Sequence, residues 1–122
     1  MGEDDSMNII THHDGHGLNE QIIIRPGESG PGGASHYYEF LYSHPDGSRT
    51  SIGRIQFQTG PRNVEGSTPG LTAGAVLAAL DHHLSGFQAG QYASRETALA
   101  VTKIQEAHHW ITHRADDRAR RA

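Results

Sequence analysis

The sequence predicts an α+β fold, in which an antiparallel β-sheet of about three strands is followed by a two-helix antiparallel hairpin. Three observations support this prediction. Short apolar segments with a two-residue period occupy the first half of the chain. From Leu71 onward, the apolar residues recur with the period of a helix. Between the two patterns, residues 59–70 read TGPRNVEGSTPG, a connection rich in turn-forming residues.

The chain has 122 residues, which is the length of one domain. We expect residues 1–17 to form a flexible tail and residues 18–122 to form a single α+β domain. Within that domain, the β part is predicted at residues 18–60 and the helical hairpin at residues 71–122.

Three segments are typical of strands. Residues 20–25 (EQIIIR) contain three consecutive isoleucines, and residues 36–43 (HYYEFLYS) alternate aromatic residues on one face. The third segment, residues 51–58, reads SIGRIQFQ. The sequence HPDG at residues 44–47 is a turn signal, so the second and third strands are predicted to pair in antiparallel fashion.

Two helices account for the second half of the chain. Thr72 can cap the first helix and Ser94 the second, and Glu96 then lies in the first turn of the second helix, where the helix dipole favours a carboxylate. A short hairpin of two such helices cannot bury both faces of each helix alone. We therefore expect the hairpin to mediate oligomerisation, by docking on the strands, on a second copy, or on both. The stripes at helical spacing are formed by Leu71, Val76, Ala79 or Leu80, His83 and Phe87, and by Val101, Ile104, Ala107 or His108, and Ile111.

Composition excludes several classes of protein. The formal net charge is −4, which argues against DNA as a partner. Cysteine is absent, so the fold has no disulfide. The N-terminal MGEDDSMN is not a signal peptide, and no apolar run approaches the length of a membrane span. We expect a location in a bacterial cytoplasm and no membrane partner.

The residues of the chain do not suggest catalysis. Without cysteine there is no thiol nucleophile, and neither a nucleophile–base set nor a carboxylate pair stands out. The chain has ten histidines, and His109 and His113 have the i, i+4 spacing of helical metal ligands. The residues between them lack the glutamate of a zinc hydrolase, and no third ligand is evident. We predict no catalytic residue, no metal site and no cofactor.

The hairpin carries the residues that suggest binding. Phe87 and Tyr92 lie near its predicted tip, whereas Arg114 and Arg118 lie about 30 Å further along the second helix. Two hairpins packed antiparallel would bring the tip of one copy to the arginines of the other. A ring that stacks on a base and two guanidinium groups that hold phosphate would form a nucleotide receptor.

Two simpler interpretations remain open at this point. Phe87 can be a core residue that ends a helix. Arg114 and Arg118 can be cations that complement a helix C-terminus and pair with Asp117 and its neighbours.

Four sequence motifs, which follow one another along the chain, add a family resemblance to the predicted binding function. They are FQ.GPR, FQAG.YA.RE.A, K..EA..W and R..DR..R, which begin near Arg54 and span some 70 residues. In this combination the chain resembles the phage Thoeris anti-defence family of the first-described type. That family is related, through its helical hairpin, to the anti-CBASS cyclic-nucleotide sponges. The resemblance covers residues 22–121.

The resemblance implies a non-enzymatic function. Members of the family bind cyclic ADP-ribose isomers (gcADPR) made by TIR-domain proteins and so inhibit Thoeris immunity; some also bind CBASS cyclic di- or trinucleotides at separate sites. They are homo-oligomers, so a homodimer or a hexamer (a trimer of dimers) is implied, in the cytoplasm of a bacterial host. The alternatives are an enzyme that degrades the signalling nucleotide and a protein–protein antagonist of a bacterial defence factor.

The resemblance also implies site residues. The base-stacking aromatic residue of the family falls on Phe87, its two terminal arginines on Arg114 and Arg118, and the arginine of its glycine-proline loop on Arg62. Thr97 stands where the family has an asparagine. The threonine keeps one hydroxyl but loses the paired donor and acceptor of an amide. A second site toward cyclic oligonucleotides is implied at Ala93, Ser94 and Arg95.

Overall fold

The computed structural model of the protein describes residues 9–15, 20–60 and 65–121. It confirms the α+β fold, with a three-stranded antiparallel sheet followed by two helices. The chain divides into two compact units, which meet in sequence at Gly70 and Leu71. The elements are β1 (Ile22–Pro26), β2 (Tyr37–Ser43), β3 (Arg49–Gln56), α1 (Ala73–Gln88) and α2 (Arg95–Arg121), with a short 3-10 helix at Pro31–Gly33 between β1 and β2.

The sheet has the order β1-β2-β3, so β2 lies in the centre and pairs antiparallel with both neighbours. The turn between β2 and β3 is tight because the Asp46 carboxylate accepts hydrogen bonds from the Ser48 amide (2.9 Å) and hydroxyl (2.6 Å). These bonds lower the pKa of Asp46. Gly47 has φ 91°, a left-handed conformation that glycine adopts without steric cost.

One face of the sheet carries a row of charges across all three strands. Arg25 and Arg54 both lie opposite Glu39 in the strand register, and the Arg25 guanidinium donates to the Glu39 carboxylate at 2.9 Å. The pKa of Glu39 is lowered, first by the hydrogen bond from Arg25 and then by Ser51 and the charge of Arg54. The other face is lined by apolar and aromatic residues, among them Ile22, Ile24, Tyr38, Phe40, Tyr42 and Ile55.

The two-residue alternation of β3 is interrupted by a bulge. Gly53 pairs with Phe40 and Ser51 pairs with Leu41, which leaves Ile52 as an extra residue. Ile52 is 53% exposed. The bulge brings Ser51 to the face that carries Glu39, and this explains the hydrogen bond of Ser51 to that carboxylate.

The free edge of β1 receives a segment from earlier in the chain. The Ile10 amide donates to the Ile24 carbonyl at 3.0 Å, and the His12 Nε2 donates to the Ile22 carbonyl at 3.0 Å. At the other end of this unit, Gly70 passes close to β3. A Cβ at that position would lie 2.5 Å from the Gln56 carbonyl oxygen, so only glycine fits there without a shift.

The hairpin is antiparallel. The predicted cap of α1 is confirmed, since the Thr72 hydroxyl accepts from the Ala75 amide at 3.0 Å. Gly74, in the first turn of α1, approaches His108, and Asp81 accepts a hydrogen bond from Gln105 at 3.3 Å. Neither helix contains a fully buried residue. None of the described helices has the length and apolar character needed to cross a membrane.

We predict that Leu41 is the main apolar anchor of the sheet unit. Leu41 is 6% exposed and is the one buried apolar side chain among the described residues. Leu41→Ala should lower the free energy of unfolding by about 2–4 kcal/mol, because it removes buried methyl groups and leaves a cavity. Urea denaturation followed by circular dichroism measures this loss. Ile52→Ala, in the same sheet but at an exposed position, should cost less than about 1 kcal/mol, and an equal loss in both variants would contradict the prediction.

Candidate functional site

The tip of the hairpin is held by hydrogen bonds between the ends of its two helices. The Ala89 amide donates to the Ser85 carbonyl at 3.1 Å, and the Gly90 amide donates to the Phe87 carbonyl at 3.2 Å, so α1 ends in a closed turn. The Ser94 amide donates to the side-chain oxygen of Gln88, six residues earlier, at 2.8 Å. Gln88 thereby fixes the start of α2 against the end of α1.

The predicted cap of α2 is confirmed. The Ser94 hydroxyl oxygen accepts from the Thr97 amide at 3.0 Å, and the same hydroxyl donates to the Thr97 hydroxyl oxygen at 3.0 Å. Ser94 therefore has its hydroxyl proton engaged within the tip. The hydroxyl proton of Thr97 is not used in this pair, so Thr97 can still donate to an acceptor from outside.

Two aromatic side chains at the tip are exposed. Tyr92 is 70% exposed, and Phe87 is 45% exposed, so Phe87 does not belong to a core within the hairpin. The Phe87 ring packs edge to face against the His83 ring, with 5.3 Å between the ring centroids and 90° between the planes. This ring pair holds the orientation of Phe87 while leaving much of its surface open.

The two arginines of the prediction lie near the other end of α2. Arg114 and Arg118 are exposed and are one turn apart, so they share a face of the helix. Asp117 pairs with Arg121 at 2.9 Å and approaches Arg120 at 3.9 Å. Among the residues that the structure describes, neither Arg114 nor Arg118 makes an ion pair. The observed contacts therefore do not include the predicted pairing of these two arginines with Asp117. Arg118 does lie in the last turn of α2, where a cation complements the helix C-terminus.

A single chain does not bring the two groups of residues together. Arg114 lies 19 residues beyond Arg95, the first residue of α2, which corresponds to about 28 Å of helix. Phe87, Thr97 and the segment 93–95 are at the tip, and the arginine pair is at the opposite end. Arg62, the remaining predicted ligand residue, lies outside the described residues.

Two open concavities away from the tip lie in the described part of the hairpin. One, of about 400 Å³, lies where the start of α1 faces α2, between Thr72–Ala75 and His108, Ile111, Thr112 and Ala115. The other, of about 320 Å³, lies along α2 and is lined by His109, Thr112, His113, Asp116 and Arg120. Neither concavity has Phe87, Arg114 or Arg118 in its lining.

Two features of the hairpin were not predicted from the sequence. The His83–Phe87 ring contact follows from i, i+4 spacing, which places the two rings on one face, and that spacing is the signal that could have revealed it. Trp110, 64% exposed, lies between the rings of His109 (5.5 Å) and His113 (5.8 Å). Within the described parts of the chain, no three histidine or carboxylate side chains are grouped so as to hold a metal ion.

Comparison with known proteins identifies the hairpin. No curated protein matches the chain in sequence. The family model described as "Acb2/Tad1, hairpin domain" matches residues 50–115, which is more than half of the chain. The match includes α1, the whole tip with Phe87 and Thr97, and α2 as far as Ala115, so that Arg114 lies inside it and Arg118 beyond it. The chain therefore belongs to the Acb2/Tad1 hairpin family of phage anti-defence proteins, which sequester nucleotide signals rather than transform them.

Proposed function

We propose that this protein binds and sequesters TIR-produced cyclic ADP-ribose isomers (gcADPR) without cleaving them, and that it thereby inhibits Thoeris immunity. It acts in the cytoplasm of the infected bacterial host. The observation that carries the proposal is the presence, at opposite ends of one hairpin, of an exposed ring and of two arginines without an ion-pair partner in the described residues. These groups complement a small anionic nucleotide.

The site is completed by a second copy of the chain. In an antiparallel homodimer of hairpins, the tip of one protomer lies beside the arginine pair of its partner, and the two-fold axis generates two equivalent sites. Dimerisation also covers apolar residues that the single hairpin exposes, namely Leu80, Leu99, Trp110 and Ile111. A hexamer built as a trimer of dimers would keep the same pair of sites in each dimer.

Each residue of this site has a defined task. Phe87 stacks on the base, and the guanidinium groups of Arg114 and Arg118 hold phosphate and ribose oxygens. Thr97 donates its hydroxyl proton, which is not used in its bond with Ser94, to a ligand oxygen. Arg62, in the glycine-proline loop, adds a further positive charge. The preference among linkage isomers depends on Thr97, because a single hydroxyl replaces the amide of the family pattern.

A second site for cyclic di- or trinucleotides is proposed at the tip, at Ala93, Ser94 and Arg95. The Ser94 hydroxyl already serves as the helix cap and donates to Thr97. The exposed guanidinium of Arg95 must therefore supply most of the attraction for phosphate at this site.

Sequestration requires affinity and slow release but no turnover. The alternatives are an enzyme that degrades the same signal and an antagonist that contacts a bacterial defence protein directly. Recovery of the bound nucleotide in intact form distinguishes sequestration from degradation. Loss of inhibition when the arginine pair is replaced distinguishes sequestration from direct antagonism of a defence protein.

The first prediction of the proposal concerns the fate of the ligand. Incubation of the purified protein with cyclic ADP-ribose isomers should deplete them from an ultrafiltrate, and heating the protein should release them intact, as measured by chromatography. The same assay with cyclic di- and trinucleotides tests the second site. Recovery of ADP-ribose or AMP in place of the cyclic compound would identify an enzyme and refute sequestration.

The arginine pair should contribute a large part of the affinity. Arg114→Ala combined with Arg118→Ala removes two charge-assisted contacts, so binding should weaken by roughly 3 kcal/mol or more, about 100-fold in Kd by calorimetry. The matched control is Arg120→Ala with Arg121→Ala, which removes the same charge from residues that pair with Asp117. Similar losses in both double variants would show that net charge, and not a specific contact, drives binding.

Phe87 should act through its ring. Phe87→Ala should weaken binding by about 1–3 kcal/mol if the ring stacks on a base, whereas Phe87→Tyr keeps the aromatic face and should bind within a few-fold of the unmodified protein. The thermal unfolding temperature of both variants serves as the control for folding. Equal binding by Phe87→Ala and the unmodified protein would exclude stacking at this position.

A further inference from the structure

We propose that His83 is a positioning residue of the same site, and that it makes nucleotide affinity rise as the pH falls through the range in which histidine takes up a proton. It holds the Phe87 ring in place and, when protonated, adds a positive charge beside the stacked base. The inference rests on the proposed function, because it assigns a role to a neighbour of the ring that is proposed to stack.

The ring contact is the first observation. His83 precedes Phe87 by one helical turn, and the two rings meet edge to face with centroids 5.3 Å apart. Such a contact restricts the rotation of the Phe87 side chain, which is otherwise open to solvent over much of its surface. A ring held in one orientation before the ligand arrives loses less entropy on binding.

The second observation is the face of α1 on which the pair lies. Asp81 contacts Gln105 of α2 and so lies on the inner face of the hairpin. His83 follows Asp81 by two residues, about 200° further around the helix, and therefore lies on the outer face, away from α2. Both His83 and Phe87 are exposed there. In the proposed dimer, this outer face is where the ligand meets the ring.

Within the same hairpin, the charged groups nearest His83 bond to other residues; the further charges near the ring are the arginine pair of the partner copy in the proposed dimer, which the ligand phosphates neutralise. On α1, Asp81 accepts hydrogen bonds from Ser85 and Gln105. On α2, which packs against α1, the charged residues at this level are Lys103 and Glu106, and they pair with each other at 3.8 Å. Within the described hairpin, no carboxylate forms an ion pair with His83. The phosphate of a bound nucleotide would then be the anion that stabilises a protonated His83.

The sign of the pH dependence follows from linkage. An imidazole has an ordinary pKa of about 6.5, and a nearby anion favours its charged form. The phosphodiester charges of a cyclic nucleotide do not change in this range, so a proton is taken up on binding and the affinity increases with acidity. Each unit by which an anion raises an imidazole pKa corresponds to about tenfold in affinity, since one unit is about 1.4 kcal/mol.

The test is calorimetric titration of the full chain with a cyclic ADP-ribose isomer at about pH 5.5 and about pH 8, at fixed ionic strength. The unmodified protein should bind roughly three- to tenfold more tightly at the lower pH. His83→Ala should bind less tightly at both pH values and lose this difference. His83→Arg carries a permanent charge, so its affinity should also be the same at both pH values. At pH 8 it should bind more tightly than His83→Ala.

The matched control is His82→Ala, which removes an exposed histidine one residue away on a different face of α1 and should keep the full pH difference. A His83→Ala variant with the pH dependence of the unmodified protein would overturn the inference and leave the proposed function intact. Failure of the unmodified protein to bind a cyclic nucleotide at either pH would overturn the proposed function, and the inference with it.

Discussion

The helical hairpin contains no fully buried side chain, so its stability depends on what covers its remaining apolar surface. Each helix places one stripe against the other helix, through contacts such as Asp81 with Gln105, and carries further apolar residues on faces that the hairpin itself does not cover. Leu99 and Trp110 on α2 are examples, and Trp110 lies about 200° around the helix from His108, which approaches α1. Because exposed apolar area of this kind is unfavourable in water, the hairpin gains stability from a partner that covers it, and a second hairpin is the partner that we propose.

The length of α2 sets a second condition for the proposed binding. The aromatic ring and the arginine pair lie at opposite ends of a long helix, so a site that uses both requires two chains. The hydrogen bonds of Gln88 and Ser94 fix the tip, and the His83 contact fixes the ring, which means that half of such a site is formed within each chain before assembly. The proposed binding and the proposed assembly therefore depend on each other.

Local signals predicted most of the fold. The turn residues, the caps Thr72 and Ser94, and the change from a two-residue period to a helical period identified the elements, because each depends on neighbours in sequence. The bulge at Ile52 was not predicted, since it depends on how β3 meets β2 across the sheet. For the site, spacing placed Arg114 and Arg118 on one face, but the pairing of Asp117 with Arg120 and Arg121 depends on side-chain conformations. The sequence also suggested a stacking ring at the tip, and the family resemblance selected Phe87 for it.

The most direct test of the account is complementation between two defective chains. A Phe87→Ala chain and an Arg114→Ala, Arg118→Ala chain should each bind a cyclic ADP-ribose isomer poorly when purified alone. Co-expressed in equal amounts, they should form mixed dimers in which one of the two sites has an intact ring and an intact arginine pair. Random pairing then restores about a quarter of the normal number of tight sites, measured by the stoichiometry of calorimetric titration. A mixture that binds no better than its two components would contradict a site shared between two chains.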